Sequence, residues 1–180
     1  MRSEHEPLNG DIFRTKLGWI TILGRGEVLA GLQFGAATKE EARRRVTAEF
    51  GEDIAFTKWN EPLATRLTEF AAGDGGADDF RDVKIDMTSL PQFTRRVLQA
   101  CRKIAPGETA TYQQLATQVG SPGAARAVGG VMAKNRIPIV IPCHRVLGTG
   151  GKLTGFSAPG GCDTKRRMLD LEAGSLAPTC

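Results

Sequence analysis

Histidine is nearly absent from this chain: His5 and His144 are the only two in 180 residues. The four cysteines, Cys101, Cys143, Cys162 and Cys180, are irregularly spaced and form no C-x-x-C pair. A zinc module or a disulfide framework needs regular ligand or half-cystine spacing, so both are disfavoured and the thiols are read as free. No metal site is expected. Long apolar runs are missing as well. The longest charge-free apolar stretch, IPIVIPC, is far shorter than the roughly 18 to 20 residues that span a bilayer. The opening MRSEHEPLNGD lacks the apolar core of a secretory signal. These absences predict a cytoplasmic protein without membrane contact, and no internal repeat or low-complexity tract is evident.

What is present is ordinary in total and uneven in distribution. With 41% hydrophobic and 24% charged residues the chain suits one globular domain or two small ones. The formal net charge is +4, yet residues 1–86 hold 12 Lys and Arg against 16 Asp and Glu, a net −4. Residues 87–180 hold 12 against 4, a net +8. A basic half of this size is the electrostatic footprint of a polyanion binder. Solvated faces that differ by chance give the same arithmetic, and charge alone does not separate the two.

Patterning divides the chain near residue 88. LGWITIL and EVLAGLQFG are β-rich runs joined by GRGE, a hairpin signature. TKEEARRRVTAEFG predicts a helix with Thr38 as N-cap, Glu41 three residues on, Ala42, Val46 and Phe50 on one face, and Gly51 as stop. PLATRLTEFAAG predicts a second helix ending at Gly73, and GDGGADDF an exposed loop. RDVKIDM alternates Val83, Ile85 and Met87 as a returning strand. The second half reads as mostly helical. SLPQFTRRVLQACRKIAPG places Phe93, Val97, Leu98 and Cys101 or Ile104 on one face. TYQQLATQVG is a short helix in which Thr111 and Gln114 fit a capping box. A tight turn, SPGA, joins it to ARAVGGVMAKN, the arrangement a helix-turn-helix requires, although any corner between two helices looks alike.

That last helix is unusual. Each interior glycine costs about 0.5 to 1 kcal/mol relative to alanine, and here Gly129 and Gly130 are adjacent. Ala124, Ala125, Ala127, Gly129 and Gly130 make a thin face from which Arg126 projects as the one long cation. Such a face suits close approach to another backbone. Helix packing through small residues is the competing reading, and Arg126 weighs against it because a cation inside that contact needs a partner.

IPIVIPCHRV, residues 137–146, is short, β-branched and punctuated by Pro138 and Pro142, which predicts a buried segment that fixes Cys143 in place. A thiol becomes nucleophilic as thiolate, and the imidazole of His144 next to it is the minimal activating partner. Arg145 stands beside them and the glycine-rich GTGGKLTGF follows. An inert buried cysteine is the alternative.

The residues here resemble a known family. Ile-Pro-Cys-His-Arg-Val (141–146), preceded by TYQQLA and ARAVGGVMAKN and followed by Gly155-Phe156 and by Lys165, Leu169 and Glu172 in K-x-x-x-L-x-x-E, is similar to the O6-alkylguanine-DNA alkyltransferases. The likeness is strong over residues 88–175 and looser before it, in T-x-LGWI and GLQFG. The resemblance implies an α+β fold: a small N-terminal α/β support domain of ribonuclease H-like form (1–88), then a mostly helical domain with a helix-turn-helix (89–180). It implies direct displacement of the alkyl group from guanine O6 by Cys143. His144 takes the thiol proton through a bound water, Glu172 orients His144, and Tyr112 donates to the leaving guanine. Asn135 ties the second helix of the pair to the active-site segment. The resemblance also implies that this helix enters the minor groove of double-stranded DNA containing O6-alkylguanine. Ala125, Ala127, Gly129 and Gly130 form its thin face, and Arg126 fills the space of the flipped base. Main-chain groups at Cys143, Val146 and Ser157 would read the base, with Met132, Pro138 and Phe156 shaping an apolar pocket.

No cofactor is implied, and a monomer is expected. Arg136 departs from the family's usual Pro and adds charge near the DNA, while FSAPGGCD differs from the common loop and leaves tolerance of bulky alkyl groups open. Cys162, in that loop, is read as a bystander. The competing function is an alkyltransferase-like protein that binds damaged DNA without transfer, against which the presence of Cys143 argues. A major-groove regulator is disfavoured because the helix lacks polar base-reading side chains, and a cysteine hydrolase lacks an acyl-binding signature.

Overall fold

Strands β2 (Gly18–Arg25) and β3 (Val28–Ala36) pair antiparallel across the two-residue turn Gly26-Glu27. Gly26 has φ of +54°, the positive value that primed hairpin turns require. The computed structural model of the protein describes residues 7–74 and 78–174. A strand not foreseen from sequence, β1 (Leu8–Thr15), lies against β2, and the short β4 (Ile54–Phe56) joins β1 in parallel. The sheet order is β3-β2-β1-β4. Asn, Gly, Asp and Arg dilute the strand signal of LNGDIFRT, and pairing on both edges decides its conformation instead.

Helix α1 (Lys39–Phe50) starts where expected: the Thr38 side chain accepts from the Glu41 amide at 3.1 Å, and Glu41 Oε2 accepts from the Ala37 amide at 2.8 Å. Helix α2 (Glu61–Ala72) is capped by Asn60 and ends at Gly73. Strand β2 is buried on both faces, with Leu23 against Val46 of α1 and Ile20 and Ile22 in the larger core that α2 enters through Leu63, Leu67 and Phe70. Gly24 has a packing reason. A Cβ there would lie 2.1 Å from the Trp59 ring and 2.4 Å from the Val28 carbonyl oxygen.

The expected strand over residues 81–87 does not form. Val83, Ile85 and Met87 do pack against the core, but the segment makes only one isolated bridge, Leu29 to Ile85. Its carbonyls are drawn elsewhere: Arg102 Nη2 donates to the oxygens of Phe80, Arg81 and Val83 at 2.9, 3.2 and 3.0 Å. Three residues of the expected loop before it, Gly75, Gly76 and Ala77, lie outside the described residues.

Beyond this linker come α3 (Gln92–Arg102), β5 (Ala110–Thr111), α4 (Tyr112–Gln118) and α5 (Ala125–Ala133). The Thr111–Gln114 capping box is formed in both directions. A single turn of 3-10 helix (Cys143–Arg145) leads into β6 (Val146–Leu147), which pairs in parallel with β5, and α6 (Gly161–Glu172) closes the described chain. The fold is mixed α/β, with six α-helices and one four-stranded sheet among the described residues. One apolar core runs without a break from Ile20 of β2 to Met168 of α6. The edge of β3 is covered, since the Leu29 amide donates to the Lys84 carbonyl and the Leu32 amide to the Arg136 carbonyl, each at 2.8 Å. Among the described residues no helix is long and apolar enough to cross a membrane, and no group of acidic, His and Cys residues is arranged to hold a metal ion.

Gly24→Ala is expected to lower stability by about 1 to 3 kcal/mol through overpacking, read by thermal or urea denaturation, because both the indole and a backbone oxygen stand in the way.

Candidate active site

The segment after α5 is folded by one side chain. Asn135 Oδ1 accepts from the Ile137 amide at 3.0 Å while Nδ2 donates to the Ile141 carbonyl at 2.9 Å, so the carboxamide closes the loop from both ends. Inside it Ile139 takes φ of +73°, a left-handed conformation that β-branched residues avoid. The Ile141 amide bonds the Ile137 carbonyl at 2.9 Å, and residues 139–147 are all buried. Cys143, His144 and Arg145 then occupy one turn of 3-10 helix. Three residues per turn send three consecutive side chains in three directions.

His144 is fully buried, with Nε2 2.6 Å from Glu172 Oε1. Arg145, foreseen only as a neighbour, grips the same carboxylate: Nε lies 3.1 and 3.0 Å from its two oxygens and Nη2 2.7 Å from Oε1. Arg145 Nη1 donates to the Ile104 carbonyl at 2.6 Å. Burial pushes the Glu172 carboxyl up, yet hydrogen bonds from His144 and Arg145 outweigh it and hold the group down at about 2. An ionised carboxylate only accepts, so Nε2 carries the proton and Nδ1 keeps its lone pair. Nδ1 has no partner among the described residues. Burial also pushes His144 below the ordinary imidazole value, against the Glu172 carboxylate that raises it. The imidazole is therefore a neutral base with one free nitrogen.

Cys143 is buried, and burial pushes its thiol above the ordinary value, opposed by Asn135 and by the charge of Lys165. The resting group is a thiol, so a base must take its proton before it can attack. Lys165 opens the K-x-x-x-L-x-x-E run that ends at Glu172. It is fully buried: Nζ donates to the Val146 carbonyl at 2.6 Å and the Thr154 carbonyl at 3.2 Å, and lies 5.8 and 6.0 Å from the ring centres of Tyr112 and Phe156.

Two clefts meet here. One, of about 1250 Å³, is lined by Cys143, Pro138 and Ala127 and extends to Leu32 of β3 and Glu49 of α1. The other, of about 600 Å³, is lined by Tyr112, Ala125, Arg126 and Gly129. Phe156 and Ser157 wall both. Met132 and Val146 line neither cleft; both are buried beneath, and the Val146 carbonyl serves Lys165. The Tyr112 hydroxyl is 3.4 Å from Thr154 Oγ1. On α5, Arg126, Ala127 and Gly130 are exposed, while Ala125 and Gly129 are half-buried. A Cβ on Gly130 would meet nothing within 4 Å. No helix of the described chain therefore packs on that part of the face. Arg136 faces Glu49 at 3.4 Å and stacks over Phe50 at 5.6 Å, so its charge is turned toward α1. Cys101, Cys143 and Cys162 are free thiols, and Cys180 lies outside the described residues.

The fold and site together define a class: a protein with a buried thiol next in the chain to a buried imidazole that an ionised carboxylate holds, at a cleft bordered by a small-faced helix. Residues 92–174 match the family model of the DNA-binding domain of 6-O-methylguanine DNA methyltransferase. A methylated-DNA--protein-cysteine methyltransferase of Mycobacterium tuberculosis is 40% identical over 163 residues, 90% of each chain. One from Methanosarcina barkeri is 34% identical over 92% of this chain and 98% of its own. The crystal structure of Mycobacterium tuberculosis OGT in complex with DNA superposes with a TM-score of 0.76 at 32% identity, covering 94% of this chain and 96% of that one. The chain belongs to the methylated-DNA--protein-cysteine methyltransferase family.

Acid should destabilise the protein in two stages. Both His144 and Glu172 have folded values below their unfolded ones. The unfolded state therefore binds protons first, and stability present at neutral pH is lost as pH falls. Melting temperature is expected to drop below about pH 6.5 through His144 and further from about pH 4.5 toward 2 through Glu172. Arg145→Leu, which leaves the carboxylate without its buried cation, is expected to cost about 3 to 5 kcal/mol and to flatten the second stage.

Proposed function

We infer that this protein repairs alkylated DNA by direct reversal, moving the alkyl group from O6-alkylguanine in double-stranded DNA to Cys143. The observation that carries the chemistry is the buried Cys143-His144-Glu172 constellation, in which an ionised Glu172 leaves His144 Nδ1 free to accept a proton. Methyltransferase relatives over most of the chain and an OGT structure in complex with DNA support the reaction class and the partner.

In the proposed step the Cys143 proton passes to His144 through a water, Sγ bonds the alkyl carbon, and the O6–carbon bond breaks. Its electron pair stays on guanine, which becomes an anion that needs a donor. Tyr112 supplies one from the neighbouring cleft. The thiol proton ends on His144 while Tyr112 donates to the guanine, and the step uses no cofactor. The thioether formed does not leave at neutral pH, so each molecule acts once. Asn135 serves by holding the loop that presents Cys143, and Lys165 by placing positive charge below thiol and phenol.

A base inside a stacked duplex must be extruded before its O6 is reached. We read α4 and α5 as a helix-turn-helix whose second helix lies in the minor groove, with Ala125, Ala127, Gly129 and Gly130 against the sugar-phosphate walls and Arg126 in the vacated stack. The openness around Gly130 supports this reading. Pro138, Phe156 and Ser157 would border the extruded base, with Met132 and Val146 beneath them. Residues 1–88, ribonuclease H-like in this reading, support residues 89–180, which face phosphate with the excess positive charge. The protein is proposed to act as a monomer.

Incubation with a duplex containing O6-methylguanine is expected to add one methyl mass to the intact protein, located on Cys143 and absent in Cys143→Ser. Binding without a mass change would replace repair by damage recognition. Arg126→Ala is expected to slow repair of duplex at least about tenfold while leaving reaction with free O6-benzylguanine near wild type, because only the duplex requires flipping. Equal losses on both substrates would remove Arg126 from that role.

A further inference from the structure

The Glu172 carboxylate, itself gripped by Arg145, fixes one edge of the His144 ring, and a different element covers the ring. Phe70, from α2 in the N-terminal part, lies with its ring centre 6.2 Å from that of His144 at an interplanar angle of 58°. Phe70 is 2% exposed and His144 is fully buried, so the two rings meet without water. This contact crosses from the acidic, sheet-bearing half of the chain to the basic half that holds the nucleophile. Nothing in the sequence pattern of PLATRLTEFAAG distinguishes Phe70 from any other apolar position on that helix face.

Phe70 is itself backed. Phe80 stands edge-on to it, with centroids 6.1 Å apart and an interplanar angle of 76°. Phe80 is fully buried and holds φ of +51°, a left-handed conformation that is unfavourable for an aromatic residue. Three contacts maintain it. The Phe80 amide donates to Asp78 Oδ1 at 2.9 Å, its carbonyl accepts from Arg102 Nη2 at 2.9 Å, and the Arg66 guanidinium lies 5.0 Å from its ring centre. Arg66 is in turn fixed by two bonds each to Asp78 and Asp82, between 2.6 and 2.8 Å. Helix α2 also reaches the helix that carries Glu172, because a Cβ on Gly73 would lie 3.3 Å from Leu171.

We propose that Phe70 is a positioning residue for His144: its ring, wedged by Phe80 and the Arg66 cluster, sets the imidazole plane and seals it from water, so that the N-terminal part completes the active site. The proposal rests on the reading of His144 as the base. The charged groups that act on His144 are Glu172 and Lys165 from α6 and Arg145 from its own turn; α2 contributes an apolar ring. Removing that ring admits water to the imidazole and loosens its orientation, and both effects appear in the pH dependence of the rate. A purely structural contact would change stability alone.

The test uses the full-length protein and free O6-benzylguanine, so that DNA binding is not involved. Second-order rates are measured from pH 5 to 9 for wild type, Phe70→Leu, Phe70→Ala, His144→Gln and the core control Leu63→Ala. In parallel the His144 ring protons are titrated by NMR, which two histidines in the chain make simple to assign. Phe70→Leu is expected to slow the plateau rate by about three- to tenfold. It should also move the acid limb, and the His144 titration with it, upward by about half a pH unit or more. Leu63→Ala should lower the melting temperature and leave the limb in place. Should Phe70→Ala not fold, Phe70→Leu carries the test. A Phe70→Leu profile that matches wild type in plateau, limb and titration overturns the positioning role while leaving His144 as base. An acid limb that survives His144→Gln overturns the base assignment, and the role of Phe70 falls with it.

Discussion

One carboxylate organises this molecule. Glu172, at the last turn of α6, receives His144 Nε2 and a forked Arg145 with no solvent contact on any of the three side chains beyond about 1%. Taking three charged or ionisable groups out of water is costly unless every hydrogen-bonding position is met. Here the geometry meets most of them, with Arg145 Nη1 bonded to the Ile104 carbonyl. The arginine does more than balance charge. Together with the His144 hydrogen bond it keeps Glu172 ionised, and an ionised Glu172 can only accept, which fixes the proton on Nε2 and the lone pair on Nδ1. A neutral Glu172 could donate to Nε2 and reverse the tautomer, leaving Nδ1 protonated and without its lone pair. The state of the imidazole thus depends on a guanidinium one residue away in sequence.

The thiol is kept in reserve by the opposite arrangement. Burial holds Cys143 protonated, and the positive charge of Lys165 partly offsets this without making the thiolate the resting form. A thiol that is consumed by one reaction gains from being unreactive until its target is present, because stray alkylation or oxidation would also consume it. Lys165 has no carboxylate partner among the described residues; its charge is met by two carbonyls and two ring faces. It therefore acts on the thiol with its charge largely uncompensated by an anion, which a salt-bridged lysine would not do.

Much of this was legible in the chain, and the divide between read and unread has physical causes. Helix ends were readable where local chemistry sets them: Thr38, Gly51, Gly73 and the Thr111–Gln114 box all sit where the residue types predict. Motifs with adjacent chemistry, such as Cys143 and His144, were readable because the functional atoms lie within a few bonds. What sequence did not supply was pairing decided at a distance. β1 is a strand because β2 and β4 flank it, and residues 81–87 make a single bridge to β3 while the guanidinium of Arg102 takes the Arg81 and Val83 carbonyls. Arg145 read only as a neighbour of Cys143 and His144, and it is the largest fully buried side chain among the described residues. Phe70 carried no local signal at all.

The two glycines of α5 show how a local penalty points outward. Each costs about 0.5 to 1 kcal/mol relative to alanine in a helix interior, and an internal neighbour would justify that. Gly129 has one, since a Cβ there would come within 3.9 Å of the Tyr112 ring, ordinary contact that an alanine could tolerate. Gly130 has none within 4 Å. Folding alone would therefore accept alanine at both positions and gain from it. The penalty is sustained beside the exposed Arg126 and Ala127, on the helix that Asn135 ties to the Cys143 loop. A helix thinned where no described residue would stand within 4 Å of a Cβ on Gly130 is left open to close approach, and Cys143 lines the cleft that Gly130 borders.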